Sequence, residues 1–374
     1  MSTVFTALEV GKGDAFLLQT PGWNCLFDAG QYSNIIRLLQ EKGIDNLNLA
    51  ICSHNDVDHA KGFIELLLDG SITIDEIWLP STFANVIQFV KDNNIQYEEI
   101  EYLARYRYPK ENDCQKDNQD EGRYYSKNEN KQADIESLLH NNDCSAIPVE
   151  KLIDDNLIKS YDNYLYWINY YRSNHRSVPQ IVLSLDRIMS IAILAFNRRC
   201  RIRWFEPTIG CACNSIDYGF VALNCREISR LKKIMHLHAF ARAVQLTVVN
   251  HYSLVFEYQK DNVPIIRFSA DSDCECGNSP YKNSIIITAP HHGSEANANV
   301  YKAFENENVI WVRSDCKSQS RPCYEFKSMK TRYCLACKRK THDFKEEICF
   351  EYIGNHWWHI KGNRCLHKNM SIFC

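Results

Sequence analysis

The sequence predicts an α/β fold, and three observations point there. Strand-like apolar runs alternate with helix-like ones, as at residues 47–52, 60–68 and 75–80. The run 47–52 empties straight into the polar loop 53–59, and in α/β proteins strand ends are where sites are built. With 374 residues and 45% apolar content, the chain can bury a real core, as one large α/β domain with insertions or as two domains.

Residues 4–30 read as three short strands, with Gly11 and Gly13 in the first turn and Pro21-Gly22 in the second. Ser33 is placed to cap a helix running to Lys42, with Ile35, Ile36, Leu38 and Leu39 inward and Gly43 as its stop. The strand 47–52, the loop 53–59, a helix at 60–68 closed by Gly70 and a strand at 75–80 follow. A helix N-terminus beside that loop offers its dipole and free N–H groups to anions.

Residues 111–143 are polar and read as an exposed loop or mobile insertion. Residues 147–172 look helical and carry Tyr161, Tyr164, Tyr166, Trp167, Tyr170 and Tyr171. Packing against a neighbour is the simpler reading of such a stripe, and a base-stacking platform is the functional one. Residues 182–195 read as a further apolar helix, broken by Asp186 and Arg187. No uninterrupted apolar run approaches about 18–20 residues, so no membrane span is expected. Arg198, Arg199, Arg201 and Arg203 read either as a solvated helix end or as a phosphate-facing patch. Residues 244–249, 253–258, 265–270 and 284–288 read as strands, and 348–353 with 356–360 as a closing β-hairpin.

Chemistry concentrates in Ser53-His54-Asn55-Asp56-Val57-Asp58-His59. His54, Asp56, Asp58 and His59 all carry lone pairs that bind divalent metals. A solvated acidic loop would account for one or two of them, but not for such a cluster at a strand end. A second candidate loop is Pro290-His291-His292-Gly293-Ser294. Adjacent side chains on an extended chain point to opposite sides, so one histidine should ligate metal and the other face substrate.

The loop 53–59 resembles the His-x-His-x-Asp-His signature of the metallo-β-lactamase superfamily. It is more similar to the His-x-Asp-x-Asp-His branch found in the nuclease-like domain of ComEC/Rec2 competence proteins and in phosphorylcholine esterases. Glu9-Val10-Gly11-Lys12-Gly13-Asp14-Ala15 resembles the first-strand turn of that branch, with Lys12 in place of the usual glutamine. Phe27-Asp28-Ala29-Gly30 resembles its strand-end Asp-x-Gly, Ser269-Ala270-Asp271 stands for Thr-Gly-Asp, and 290–294 resembles its Pro-His-His-Gly-Ser loop. The resemblance covers 1–80 well and 245–315 moderately.

It implies a metallo-β-lactamase-like αββα sandwich: a first half at 1–80, a largely helical insertion at 81–195, a second half at 196–315, and a basic, Cys-rich extension at 316–374. It implies two divalent ions, zinc, manganese or magnesium. His54 and Asp56 would take the first ion, Asp58, His59 and His291 the second, and Asp271 would bridge. Asp58 would also orient the attacking water, and His292 or Ser294 would contact the phosphate or protonate the leaving group. Asp28 would buttress the loop from behind.

A net charge of −3 gives no global field to attract nucleic acid, so such contact must come from local patches. The densest lies in the tail, where Arg313, Arg321, Arg332, Lys338, Arg339 and Lys340 interleave with Tyr324, Phe326 and Tyr333. Seventeen cysteines, an odd count, and no visible signal peptide point to reduced thiols in the cytoplasm. Cys334-Leu335-Ala336-Cys337 is a lone pair and a weak zinc signal. The expected function is a metal-dependent hydrolase, foremost a phosphodiesterase or nuclease acting on DNA or RNA, in DNA processing or bacterial defence. The alternatives are a hydrolase of small molecules (phosphorylcholine-type diesters, cyclic nucleotides or lactones) and a non-catalytic scaffold with a vestigial site.

Overall fold

A computed structural model of the protein describes residues 2–105, 146–208, 214–273, 284–304, 308–315, 321–336, 346–362 and 364–365. The chain opens with the antiparallel strands β1 (Thr3–Ala7), β2 (Phe16–Thr20) and β3 (Trp23–Phe27). Next come α1 (Asn34–Gln40), β4 (Asn46–Ile51), α2 (Val57–Asp69) and β5 (Thr73–Pro80). Helices α3 (Ser81–Asn93) and α4 (Tyr97–Arg105), strand β6 (Ala146–Pro148), and helices α5 (Asp155–Asn174) and α6 (Gln180–Asn197) lead to β7 (Arg201–Pro207). Strands β8 (Asn214–Ser215), β9 (Phe220–Ala222), β10 (Cys225–Ile228) and β11 (Arg230–Lys232) precede α7 (Leu237–Leu246). Then follow β12 (Phe256–Lys260), β13 (Val263–Phe268), β14 (Ile285–Thr288), α8 (Ala298–Ala303) and β15 (Val309–Arg313). Helix α9 (Tyr324–Ser328), β16 (Arg332–Cys334), β17 (Ile348–Ile353) and β18 (His356–Lys361) complete the chain order.

Two large sheets result. One runs β10-β7-β5-β4-β3-β2-β1-β17-β18, with β3, β4, β5 and β7 parallel. The other runs β16-β15-β14-β13-β12-β9-β8, with β13 through β16 parallel. Strand alternation buries both faces. In β2, Phe16 and Leu18 turn to the space between the sheets while Leu17 turns to the helices. Phe5, Phe16, Phe27, Trp78 and Phe205 of the first sheet meet Phe220, Phe256 and Phe268 of the second, and Phe27 stacks on Phe268 with ring centroids 4.6 Å apart. Each such ring contributes about 1.5–3 kcal/mol on burial, so this layer holds the sheets together. Leu39, Phe63, Leu66, Val86 and Ile188 pack on the outer face of the first sheet, and Tyr301, Trp311 and Phe326 on that of the second. The layering is the αββα sandwich.

Several expectations change. Residues 244–249 are not a strand: α7 runs through Leu246 because Phe240, Ala241, Ala243 and Val244 bury together at helical spacing. Helix α2 begins at Val57, so Asp58 and His59 stand on its first turn. Helix α6 is, among the described residues, the one long and apolar enough by length and composition to cross a bilayer; in the fold it packs as a core helix, with Leu185, Ile188, Met189 and Ala192 buried. The aromatic stripe of α5 packs in part, burying Tyr164 and Tyr171 while Tyr166 and Tyr170 stay exposed.

Of the arginines read either as a solvated helix end or as a phosphate-facing patch, Arg198 and Arg203 serve internal partners, while Arg199 and Arg201 are exposed. Arg198 donates to the carbonyls of Leu67 and Leu68 at the end of α2, and Arg203 pairs with Glu76, Glu227 and Asp217. Several residues in the described part of the basic tail also turn inward, while Tyr324 and Lys330 stay exposed. Arg313 is fully buried, Phe326 lies in the outer core, and Tyr333 packs edge-on against Phe350. Arg332 donates to the Met329 carbonyl. Lys338, Arg339, Lys340 and Cys337 lie outside the described residues. The C-terminal hairpin forms as expected, and β17 pairs antiparallel with β1, Phe5 opposite Phe350.

Candidate metal centre

Five segments converge: the β1–β2 turn and the loops that leave β3, β4, β13 and β14. Backbone geometry brings the first three together. Asp28 takes a left-handed conformation (φ 55°) and donates its N–H to the Ile51 carbonyl at 2.8 Å. Its carboxylate accepts from the Ser53 N–H and the Ser53 hydroxyl, both at 2.8 Å, and meets His59 Nδ1 at 2.8 Å. Gly13 and Gly62 let the first turn of α2 press between two neighbouring turns. A Cβ on Gly13 would lie 1.7 Å from the Asp58 carbonyl oxygen, and one on Gly62 would lie 2.1 Å from that of Ala29. From the helical layer, Arg187 donates to the Asn55 carbonyl from Nε at 3.0 Å and Nη2 at 2.8 Å, pinning the 53–59 loop.

The imidazoles are oriented from behind. His59 Nδ1 faces Asp28, and His292 Nδ1 faces Asp14 Oδ1 at 3.0 Å. Each pairing fixes the ring and leaves Nε2 pointing into the cluster. Asp271 stands at the centre. Its Oδ1 is 3.1 Å from His59 Nε2 and 3.8 Å from His292 Nε2, while Oδ2 is 3.8 Å from His54 Nε2 and 3.7 Å from His291 Nε2. Asp56 Oδ2 is 3.6 Å from His54 Nε2, and Asp58 Oδ2 is 3.5 Å from His292 Nε2. Two donor sets share Asp271: His54, Asp56 and Asp271, and Asp14, His59, Asp271 and His292, each with its ligand atoms within 4.8 Å of one another.

The charges are strongly coupled. Burial alone would push the His59 and His292 imidazoles down, but the carboxylates of Asp271 and Asp28 for the first, and of Asp14 and Asp271 for the second, lift both well above the ordinary histidine value. Burial would raise Asp271, yet the three facing imidazoles hold it well below the carboxylate range. Asp58 is likewise held low, by its contacts with His292 and His59, against burial. Asp14 goes the other way, raised by burial and only partly offset by His292. His291 is pushed down to about 4 by burial, with Asp271 opposing and Arg321 assisting.

A divalent cation fits this donor set. His54 Nε2, His59 Nε2, His292 Nε2, Asp14 Oδ2 and Asp271 Oδ1 are buried without a well-aligned hydrogen bond, although His59 Nε2 and Asp271 Oδ1 face each other at 3.1 Å. Buried polar atoms are almost always paired, so five such atoms facing one centre mark a place made for a cation.

The fold brings His54, Asp56, Asp58, His59 and Asp271 together. It places the two distal histidines differently from expectation. His291 (φ 46°) and His292 (φ 52°) both adopt left-handed backbone in a tight turn, so the alternation of an extended chain does not apply. His292 enters the second donor set, and His291 borders the first. Ser294 does not point at the cluster; its hydroxyl oxygen accepts the Ala296 N–H and caps the next turn. Arg321, expected on a nucleic-acid face, donates from Nη2 to His291 Nε2 at 2.9 Å. The sequence reading missed Asp14 and Arg313. Asp14 carried a signal, an acid set directly before the apolar run that becomes β2. Arg313, whose Nε donates to the His292 carbonyl at 2.6 Å, carried none, because it reads as one more charge in a basic run. A groove of about 430 Å³ beside Leu66, Gly70, Ile74 and Arg198 lies at the far end of α2 and plays no part in this cluster.

Asp28→Asn is expected to lower metal affinity about 10- to 100-fold, since the carboxylate behind a ligating histidine contributes that much. A competition titration against a chromophoric chelator reads it; an unchanged affinity would remove Asp28 from the site.

No protein-family model matches the chain, and no curated protein matches it. Among solved structures, Tm1679, described as a metal-dependent hydrolase of the beta-lactamase superfamily, is similar at 11% identity and a TM-score of 0.36, over 90% of this chain and 96% of that one. AidC, a dizinc quorum-quenching lactonase solved with a product, is similar at 9% identity and a TM-score of 0.32, over 95% of this chain and 80% of that one. At those scores the two likenesses carry no weight, and the reading of this site stands on the geometry above.

Proposed function

We propose that the protein is a metal-dependent hydrolase of phosphodiesters, with DNA or RNA as substrate. The carrying observation is the convergence of five buried ligand atoms that lack well-aligned hydrogen bonds, Asp271 Oδ1 among them. Hydrolysis of a charged ester is supported by the carboxylate content: a first set of one imidazole and two carboxylates is harder than three imidazoles and suits cations that seek phosphoryl oxygen. His54, Asp56 and Asp271 would hold the first ion. Asp14, His59, His292 and Asp271 would hold the second, with Asp58 beside it. Such ions supply Lewis acidity, which makes water a nucleophile at neutral pH and neutralises charge growing on the phosphoryl oxygens.

The chain's own groups do the rest. Asp28 and Asp14 hold the two inner imidazoles in one orientation. Asp58, ionised and nearest to solvent in the cluster, is placed to accept a hydrogen bond from the attacking water and so orient it. The fully buried walls around His54, His59 and His292 keep bulk water away from the reacting centre. The nucleic-acid part of the reading draws on Lys338, Arg339 and Lys340, outside the described residues.

The test titrates Mn, Mg and Zn separately into chelator-stripped protein. The substrates are single- and double-stranded DNA, RNA, bis(4-nitrophenyl) phosphate and N-hexanoyl homoserine lactone. Metal-dependent cleavage of a polymer, lost in Asp58→Ala, is the expected result. Cleavage of the small diester alone would move the substrate to a small phosphodiester. Turnover of the lactone alone, or the absence of bound metal, would overturn the proposal.

A further inference from the structure

We infer that Asn250 is a positioning residue for His291: its amide oxygen takes the Nδ1–H of that imidazole, so that the Nε2 lone pair, not an N–H, faces the shared carboxylate of Asp271. The bearing of this contact on hydrolysis rests on the phosphodiesterase reading above; the hydrogen bond itself does not.

The other three imidazoles set the pattern. His59 Nδ1 faces Asp28 Oδ2 at 2.8 Å, and His292 Nδ1 faces Asp14 Oδ1 at 3.0 Å. His54 Nδ1 lies 2.9 Å from the Ser53 hydroxyl, whose own proton goes to Asp28 Oδ2 at 2.8 Å. That hydroxyl therefore meets His54 as an acceptor. Each of the three rings has an acceptor at Nδ1, which keeps a proton there and reserves Nε2 for the cluster.

His291 fits this pattern on one condition. Arg321 Nη2 lies 2.9 Å from His291 Nε2, and that nitrogen is 3.7 Å from Asp271 Oδ2. A guanidinium has donors and no acceptor, so Nε2 is the accepting nitrogen of this ring. A ring that accepts at Nε2 carries its proton on Nδ1. The amide of Asn250 stands at that edge, with Nδ2 3.1 Å from Nδ1. Two N–H groups cannot pair, and in that orientation Asn250 Oδ1 is buried without a partner. The two ends of an amide are nearly equal in size, so hydrogen bonding decides which one faces the ring. Half a turn of the amide puts its oxygen on the Nδ1–H and removes the conflict.

The backbone brings Asn250 to this place whatever its side chain. The Ser253 N–H and hydroxyl donate to the Asn250 carbonyl at 3.1 and 2.6 Å, and the Leu254 N–H donates to the Ser53 carbonyl at 2.9 Å. The turn after α7 is thereby tied to the loop that bears His54. An amide holds the ring without adding charge to a centre that already gathers Asp14, Asp56, Asp58 and Asp271.

The test starts from metal-free protein carrying isotope-labelled histidine, in which two-bond proton–nitrogen correlation spectra tell an Nδ1–H ring from an Nε2–H ring. The His291 signals are those that His291→Gln removes. Wild type should show His291 with its proton on Nδ1 and with Nε2 bare. Asn250→Leu, close in shape but without an acceptor, should shift His291 to a mixture containing the Nε2–H ring. Asn250→Asp, which offers only acceptors, should keep Nδ1 protonated. In metal-loaded protein, with content matched by elemental analysis, kcat for bis(4-nitrophenyl) phosphate should fall about tenfold in Asn250→Leu with a smaller change in KM, and Asn250→Asp should recover part of the loss. A wild-type His291 protonated on Nε2 would overturn the inference, and this result needs no variant at position 250 to fold. A tautomer that Asn250→Leu leaves unchanged would overturn it too, as would an unchanged kcat where the tautomer has shifted. Failure of the parent reading looks different: the wild type would cleave no diester with any metal, while the His291 spectrum would be read as before.

Discussion

Asp271→Asn is expected to weaken binding of both metal equivalents by about two orders of magnitude and to take hydrolysis below detection. The four ligands of a structural zinc site together contribute about 10–16 kcal/mol, so one ligand accounts for roughly 3 kcal/mol, or about a hundredfold. Asp271 belongs to both donor sets, and its two oxygens face different imidazoles, so one substitution strikes both. The fold should survive it. The neighbouring backbone is held independently, by the Ser269 N–H donating to Thr288 Oγ1 and the His291 N–H donating to the Ala270 carbonyl. Calorimetric titration of stripped protein gives affinity and stoichiometry, and circular dichroism checks the fold. Two equivalents bound at wild-type affinity would dismiss Asp271 as the shared ligand.

Gly13→Ala should be the most damaging glycine-to-alanine change among the described residues. At φ 90° the new Cβ would sit 1.7 Å from the Asp58 carbonyl oxygen, which is the acceptor for the Asp14 N–H. Either the β1–β2 turn or the first turn of α2 has to move. A loss of about 2–4 kcal/mol in stability is expected, in the range of strained backbone plus overpacking. Metal affinity should fall with it, because Asp14 and Asp58 sit on the two displaced segments. Gly22→Ala is the internal control. Its φ is 73°, yet nothing lies within 4 Å of its Cβ, so only the conformational cost of about 1–2 kcal/mol applies. Chemical denaturation of both variants separates the two costs, and equal losses would show that the Asp58 contact does not matter.

What could be read from the sequence was what is local in the chain. His54, Asp56, Asp58 and His59 lie within one short stretch after an apolar strand, so local pattern pointed to them, whereas Asp271 was pointed to by the resemblance of Ser269-Ala270-Asp271 to a family motif. Residues whose role depends on which loops meet were not legible. Asp14 gains its partner only because the β14 loop folds across the β1–β2 turn. Arg313 looks like a member of a basic surface run until β15 is buried and carries it under the histidine loop, and Arg321 looks like another until its guanidinium meets His291. The two distal histidines were misjudged because alternation presumes an extended chain, and a doubly left-handed turn abolishes it. Residues 244–249, rich in Val and Thr, have strand propensity, but packing of the preceding helix decides the outcome.

The pairing of β1 with β17 has a bearing on how the protein is made. While the chain is still on the ribosome, β1 has β2 on one side and an unsatisfied edge on the other until Ile353 has been synthesised. The turn carrying Gly13 and Asp14 hangs from that strand. Closing that edge therefore waits on a partner strand from the far side of the sequence, and the turn hanging from β1 is steadied from both sides only then.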